Sequence, residues 1–322
     1  MTDRPTSPAS AAPEEESRLT VVLLAAAAIA WTAAMLWSAR TTITGRVSAE
    51  MEVTSTAYAL PGAVAADLVA GAAVALLVLT LIGARRTLGP SARFAVATGA
   101  GLLTGLLSAI PVVTINTAGS LYAIVGGTVA AAATIGGALA GFRIPRVIAA
   151  AAFASIGVFV LGFVLNLFQA PVLDLLGAGD TASTANAAQW FSYGQAALSG
   201  LAAGLIAFFL LRRAEGAVKW PFYALAGAGA GLVTVIGEIL SRTAGSKVLE
   251  LAGKVSELDK LAQQILSTAR LNSGLIVLFV GAMTAMLAVG RTMSPATDED
   301  DDEEDEGQTS SSNSETAYHS NS

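Results

Sequence analysis

Eight runs of about 20 mostly apolar residues follow one another along the chain. They extend from Leu19 to Ala39, Leu60 to Gly83, Phe94 to Val113, Leu121 to Gly141, Val147 to Phe168, Phe191 to Leu211, Phe222 to Leu240 and Leu271 to Gly290. A helix rises about 1.5 Å per residue, so each run is long enough for roughly 30 Å of hydrocarbon, where a single segment can satisfy its backbone only by bonding internally. Charge is correspondingly scarce: 13% of the 322 residues are charged, about half the roughly 25% of a soluble domain. The expected fold is an all-α polytopic membrane helix bundle. Many runs are built from Ala and Gly rather than Leu, so hydropathy alone also fits seven or nine spans.

Charge selects eight. With that number, Arg18, the group Arg85, Arg86 and Arg93, the pair Arg143 and Arg146, the group Arg212, Arg213 and Lys219, and Arg291 all fall on one side. The positive-inside rule makes that side, and both termini, cytoplasmic. The connections between the third and fourth runs and between the fifth and sixth carry no Lys or Arg. Trp37, Tyr58, Tyr122, Trp190 and Tyr193 then approach the outer interface, and Trp220 and Tyr223 the inner one, where amphipathic rings are favoured. The first run exceeds the 7–15 apolar residues of a signal-peptide core and is expected to be a retained helix. A cell membrane is the expected location.

Residues 1–17 and 292–322 lack the large apolar residues that a packed core needs and are expected to be disordered tails. The second holds nine consecutive acids, Asp298 to Glu306, which turn an otherwise mildly basic chain into one of net charge −6. Such a run suits a solvated tail or a basic cytoplasmic partner. The one sizeable exposed segment expected between runs is Ser241 to Asn272. Within it, at about 246–270, Val248, Leu251, Val255, Leu258, Ala262, Ile265 and Ala269 alternate spacings of three and four and mark one stripe of an amphipathic helix. Glu250 and Lys254 add an i, i+4 pair on its polar side. That stripe could cover the outer leaflet, the mouth of its own bundle, or the same helix in a second copy or partner protein.

Laid on itself at an offset of 127 to 128, the chain brings Arg18 onto Arg146, Arg85 and Arg86 onto Arg212 and Arg213, and Gly89 onto Gly216. After one added position Phe94 meets Phe222 and Gly99-Ala100-Gly101 meets Gly227-Ala228-Gly229, while Thr117-Ala118-Gly119-Ser120 resembles Thr243-Ala244-Gly245-Ser246. The expected organisation is two parallel four-helix repeats, residues 18–145 and 146–291. Because each contains an even number of helices, a two-fold axis along the membrane normal is expected between them, with a substrate path at their interface. Glycines four apart, Gly101/Gly105, Gly137/Gly141, Gly200/Gly204 and Gly227/Gly231, are expected to let helices approach closely.

The chain has no Cys, and its single His, His319, lies in the acidic tail. Thiolate and Ser/His nucleophiles and His-ligated metals therefore lack their residue types in the bundle, and no phosphate-binding Gly-rich loop is present. No enzyme activity, cofactor or nucleic-acid partner is expected. Gly177-Ala178-Gly179-Asp180 resembles the Gly-x-Gly-Asp element of intramembrane aspartyl proteases and prepilin peptidases. The resemblance covers four residues, and its acid falls in a polar connection, whereas the family's acid lies in a helix.

Ionisable residues within a bilayer mark functional sites by default, since a carboxylate at the centre costs roughly 2.5–3.5 kcal/mol on insertion scales. Two such residues occur, Asp67 in the second run and Glu238 in the seventh, with Asn166 and Gln195 as polar companions. These four are the candidate substrate- or proton-coupling residues. Asp67 aligns with Gln195 at the repeat offset, so the halves are chemically unequal at that depth. A transporter or membrane subunit of a transport system is the expected function. The alternative is a scaffold that docks partners through the outer amphipathic helix and the acidic tail.

Overall fold

The computed structural model describes residues 12–44, 49–115, 120–213, 218–255 and 257–292. The acidic run, His319 and the matches at Gly216 and Thr117 to Gly119 lie outside them, as does the side chain of Lys254. Ten helices follow in order: α1 (Ala12–Thr44), α2 (Ala49–Gly83), α3 (Pro90–Val113), α4 (Ser120–Ala140), α5 (Pro145–Leu167), α6 (Gln169–Leu175), α7 (Thr181–Arg213), α8 (Trp220–Thr243), α9 (Ser246–Val255) and α10 (Glu257–Gly290). Eight of them, all but α6 and α9, are long and apolar enough to cross a membrane, and they coincide with the eight apolar runs. The chain is thus an all-helical, multi-pass membrane bundle.

Helix ends depart from the expected ones in a consistent direction. The helices α2, α7 and α10 hold 35, 33 and 34 residues, well beyond the roughly 20 that a bilayer requires, so the segment 241–272 is not the only one with room to emerge. α1 begins at Ala12, inside the expected tail; Pro13 and the three acids Glu14 to Glu16 are residue types favoured in a first helical turn. The described residues of the expected amphipathic helix are helical, over α9 and the first four turns of α10. Val248 of α9 is fully buried against α2 and α4, so this part of the stripe covers the bundle itself. Farther along the stripe Leu258 and Ile265 are 78% and 68% exposed, as is their neighbour Leu261 at 56%.

Packing rests on glycine. In lipid, helices gain no hydrophobic drive for association, and close backbone approach with its dispersion contacts replaces it. All eight glycines of the expected pairs sit at such approaches. Gly101 and Gly137 face each other where α3 crosses α4, and Gly204 and Gly227 both lie against the backbone of Gly281 in α10. Gly71 and Gly136 do the same between α2 and α4, where a methyl group on Gly136 would run into the Leu68 carbonyl. Of the aromatic residues, Trp37, Tyr58, Trp190, Tyr193 and Trp220 are exposed, as interfacial rings should be. Tyr122 instead is buried and donates its hydroxyl to Glu52, tying α4 to the first turns of α2.

Within residues 18–145 and within residues 146–291 the most extensive pairings of the four long helices come in the same order, whereas first packs on third much more in the second group. Third packs most extensively on fourth, then second on fourth, with the first and third each touching the second. Between the two groups the contacts are not reciprocal. α2 packs on α5 and α8, but among the described residues α7 makes no comparable contact with α1 or α3. A two-fold axis would require both sets, because an isologous interface pairs each patch with its own copy. The expected two-fold relation is therefore absent, and α2 becomes the hub, touching α1, α3, α4, α5, α8 and α9. The face of α7 carrying Leu198, Leu201, Leu205 and Phe209 is left exposed.

A Gly136→Ala substitution is expected to destabilise the bundle by about 1–3 kcal/mol through overpacking, despite the gain in helix propensity. Gly127→Ala, one helix face away with open space around it, should be neutral or slightly stabilising. Thermal unfolding of both variants in the same detergent checks the difference.

Candidate functional site

The four candidate polar residues are not brought together. Asn166, at the end of α5, is exposed. Gln195 is half-buried on α7 and its amide donates a long 3.4 Å hydrogen bond to the Gly162 carbonyl of α5. α2 and α7 are not neighbours among the described residues, so the aligned pair Asp67 and Gln195 does not share a site.

Glu238 is only 3% exposed, so water does not solvate it as its place near a helix end suggests. Two arginines do so instead. Arg242, one turn on in α8, donates from Nε to Oε1 at 3.0 Å, and Arg270 of α10 donates from Nε to Oε2 at 3.0 Å. The Ser267 hydroxyl of α10 adds a third hydrogen bond to Oε1. Both carboxylate oxygens are thereby engaged, and the group serves as a clamp between α8 and α10 just beyond their glycine crossing. The sequence signal for this was present in the i, i+4 spacing of Glu238 and Arg242; the Arg270 contact spans 32 residues and has no local signature.

Asp67 is the opposite case. Its side chain is fully buried at the middle of α2, and neither carboxylate oxygen has a hydrogen-bond partner. The polar group closest in character is the Ser108 hydroxyl of α3, which interacts with it electrostatically without closing a hydrogen bond. Asp67, Ala70 and Val74 share one stripe of α2 by the i, i+3, i+7 rule. Ala70, Val74 and Ser108 in turn line a groove of about 490 Å³ between α1, α2 and α3. The carboxylate therefore sits behind a groove within the first group of four helices, not between the two groups where a path was expected.

The groove has a polar margin that sequence reasoning missed. Thr32 on α1 and Thr104 on α3 line it beside Ser108, and Arg40 closes the end farthest from Arg18. Thr32 has no hydrogen-bond partner for its buried hydroxyl, whereas Thr104 bonds back to the Ala100 carbonyl of its own helix. The four-residue interval from Thr104 to Ser108 places both on one face of α3 and could have disclosed the margin. Arg40 could have been singled out as a lone cation at the end of an apolar run.

Gly177-Ala178-Gly179-Asp180 forms a helix start. Gly177 takes φ of 86°, a conformation that favours glycine, and turns the chain after α6. Asp180 then caps α7: the Ser183 amide donates to its Oδ1 at 2.7 Å, while the Ser183 hydroxyl accepts from the Asp180 amide at 2.9 Å. This is the reciprocal arrangement of a capping box, with Ser in the third position. Hydrogen bonds from the Ser183 side chain and backbone hold the Asp180 carboxyl below its ordinary range. The four-residue resemblance is thus met by a capping role at the polar start of α7.

Replacing Glu238 by Ala strands Arg270 without its anion, a change expected to cost about 3–5 kcal/mol as for a broken buried ion pair. Arg242→Ala, which removes the more exposed partner, should cost about 1 kcal/mol or less. Thermal unfolding of the two variants, with retained helix content, gives the comparison. No family model matches the chain, and no curated protein or solved structure is significantly similar to it, so the residues themselves carry the functional reading.

Proposed function

We propose that the chain is a non-enzymatic membrane transport protein, either a carrier or the membrane subunit of a larger transport system. One observation supports this most directly: Asp67 is a buried carboxylate at mid-span with no hydrogen-bond partner. A structural acid in that position would be expected to resemble Glu238, engaged by cations and a hydroxyl. An acid kept without partners in the hub helix suits a group that takes up and releases a proton or small cation.

In this reading the arginine-rich helix ends and both termini face the cytoplasm, and the matching pairing order within the two groups of four helices reflects duplication. Heterologous contact between the copies leaves one of them with the acid and the other with Gln195. The transport step then belongs to the first four helices, with the second four as their support through α5 and α8. Flux of protons into proteoliposomes is expected to fall at least about tenfold in Asp67→Asn, which keeps the shape and removes the titratable group. Equal flux in wild type and variant would remove Asp67 from the mechanism.

A second reading, docking of partners, is favoured by the exposed apolar stripe Leu258, Leu261 and Ile265 on the outer turns of α10. Exchanging the three for Glu should leave the unfolding temperature of the bundle nearly unchanged, since the side chains contribute little to its core. If the stripe is an interface between copies or with another protein, the same exchange lowers the mass of the complex recovered in mild detergent. An unchanged mass would leave the stripe without a docking role.

A further inference from the structure

The groove between α1, α2 and α3 has the form of a lipid site. Along α1 its lining runs from Ile29 to Arg40, eleven residues or roughly 16 Å of helix rise. That is about half the roughly 30 Å hydrocarbon thickness, the depth of one leaflet. Its volume of about 490 Å³ falls within the roughly 300–1,000 Å³ of small-ligand pockets. Most of the wall is aliphatic, contributed by residues such as Leu36, Ala70 and Leu107, and Trp37, 71% exposed, stands at the same end as Arg40.

Arg40 gives the groove a chemical direction. One of its terminal nitrogens, Nη1, donates to the Pro111 carbonyl at 2.9 Å and to the Thr114 hydroxyl at 3.3 Å, which fixes the guanidinium across the tops of α1 and α3. Among the described residues no carboxylate lies within ion-pair distance of it. Among the described side chains, the remaining N–H donors have no anion. A cation held by neutral carbonyl and hydroxyl oxygens at the headgroup end of an acyl-length groove is complementary to a lipid phosphate, for which arginine is the preferred partner.

We propose that this groove holds one membrane lipid with an acidic headgroup, its phosphate on Arg40 and one acyl chain lying along α1 toward Ile29. The site is independent of whether Asp67 moves protons. The lipid would form the fourth wall beside Ser108, so that Asp67 is separated from the bilayer by a bound chain in place of a protein helix.

The full chain, purified in mild detergent, would be titrated with phosphatidylglycerol and, separately, with phosphatidylcholine of the same acyl chains, and bound lipid counted by native mass spectrometry. Wild type should retain one phosphatidylglycerol in preference to phosphatidylcholine. Arg40→Gln should weaken phosphatidylglycerol binding about tenfold, the loss expected for one charge-assisted contact, and weaken phosphatidylcholine, whose phosphate is offset by its own choline cation, by less. Ala33→Phe, which fills the groove from its exposed rim without touching Arg40, should weaken both lipids and keeps the test available if the Arg40 variant fails to fold. Equal retention of the two lipids by wild type, or unchanged phosphatidylglycerol binding in either folded variant, would overturn the proposal.

Discussion

Backbone-to-backbone approach at glycine is the contact on which the rest of this bundle depends. Once helices are inserted, apolar side chains prefer lipid and protein about equally, so a helix pair is held by whatever brings most atoms to optimal distance. At the crossings of α3 with α4 and of α8 with α10, absence of a side chain on Gly101, Gly137, Gly227 and Gly281 lets the two backbones meet directly. Everything larger is arranged around those crossings. The Glu238 clamp lies outward of the Gly281 crossing on the same helix pair, and α2 reaches its hub position because Gly71 and Gly136 admit it against α4.

The two intramembrane acids show how differently one bundle can treat the same functional group. Glu238 receives two guanidinium groups and a hydroxyl, which makes it a bond between helices and fixes its charge. Asp67 has no cation, and its one polar neighbour, the Ser108 hydroxyl, closes no hydrogen bond with it. Removing either costs or gains something different: for Glu238 the loss is one of stability, because cations are left behind, whereas for Asp67 the protein loses an unsatisfied group and should suffer little in its fold. That contrast, more than burial itself, separates a structural carboxylate from a candidate working one.

Much of the architecture was legible because lipid imposes one rule on every span. The eight runs from Leu19 to Gly290, their helical state and the packing role of the four glycine pairs follow from local sequence. The lengths of α2, α7 and α10 were less legible, because a helix emerging from the membrane is no longer marked by hydropathy and continues on caps and propensity, as Asp180 and Ser183 illustrate. The relation between the halves was not legible at all. Which faces of the two groups meet is decided by side-chain relief over many helices, and here it sets α2 against α5 and α8. For the same reason the groove behind Arg40 could not be read from spacing; it is made by residues of three helices, 30 and more positions apart from one helix to the next.

The continuity of α10 has a mechanical consequence. From Glu257 to Gly290 it is one unbroken rod of about 50 Å, pinned near its lower third where Gly281 rests on Gly227. A rod so pinned is a lever with unequal arms, about 36 Å on the Glu257 side and about 14 Å on the Gly290 side. A tilt of the Glu257 arm about this contact would swing the Gly290 end the opposite way through about a third of the travel. The Arg270 to Glu238 bond, nearly halfway along the long arm, would resist that motion.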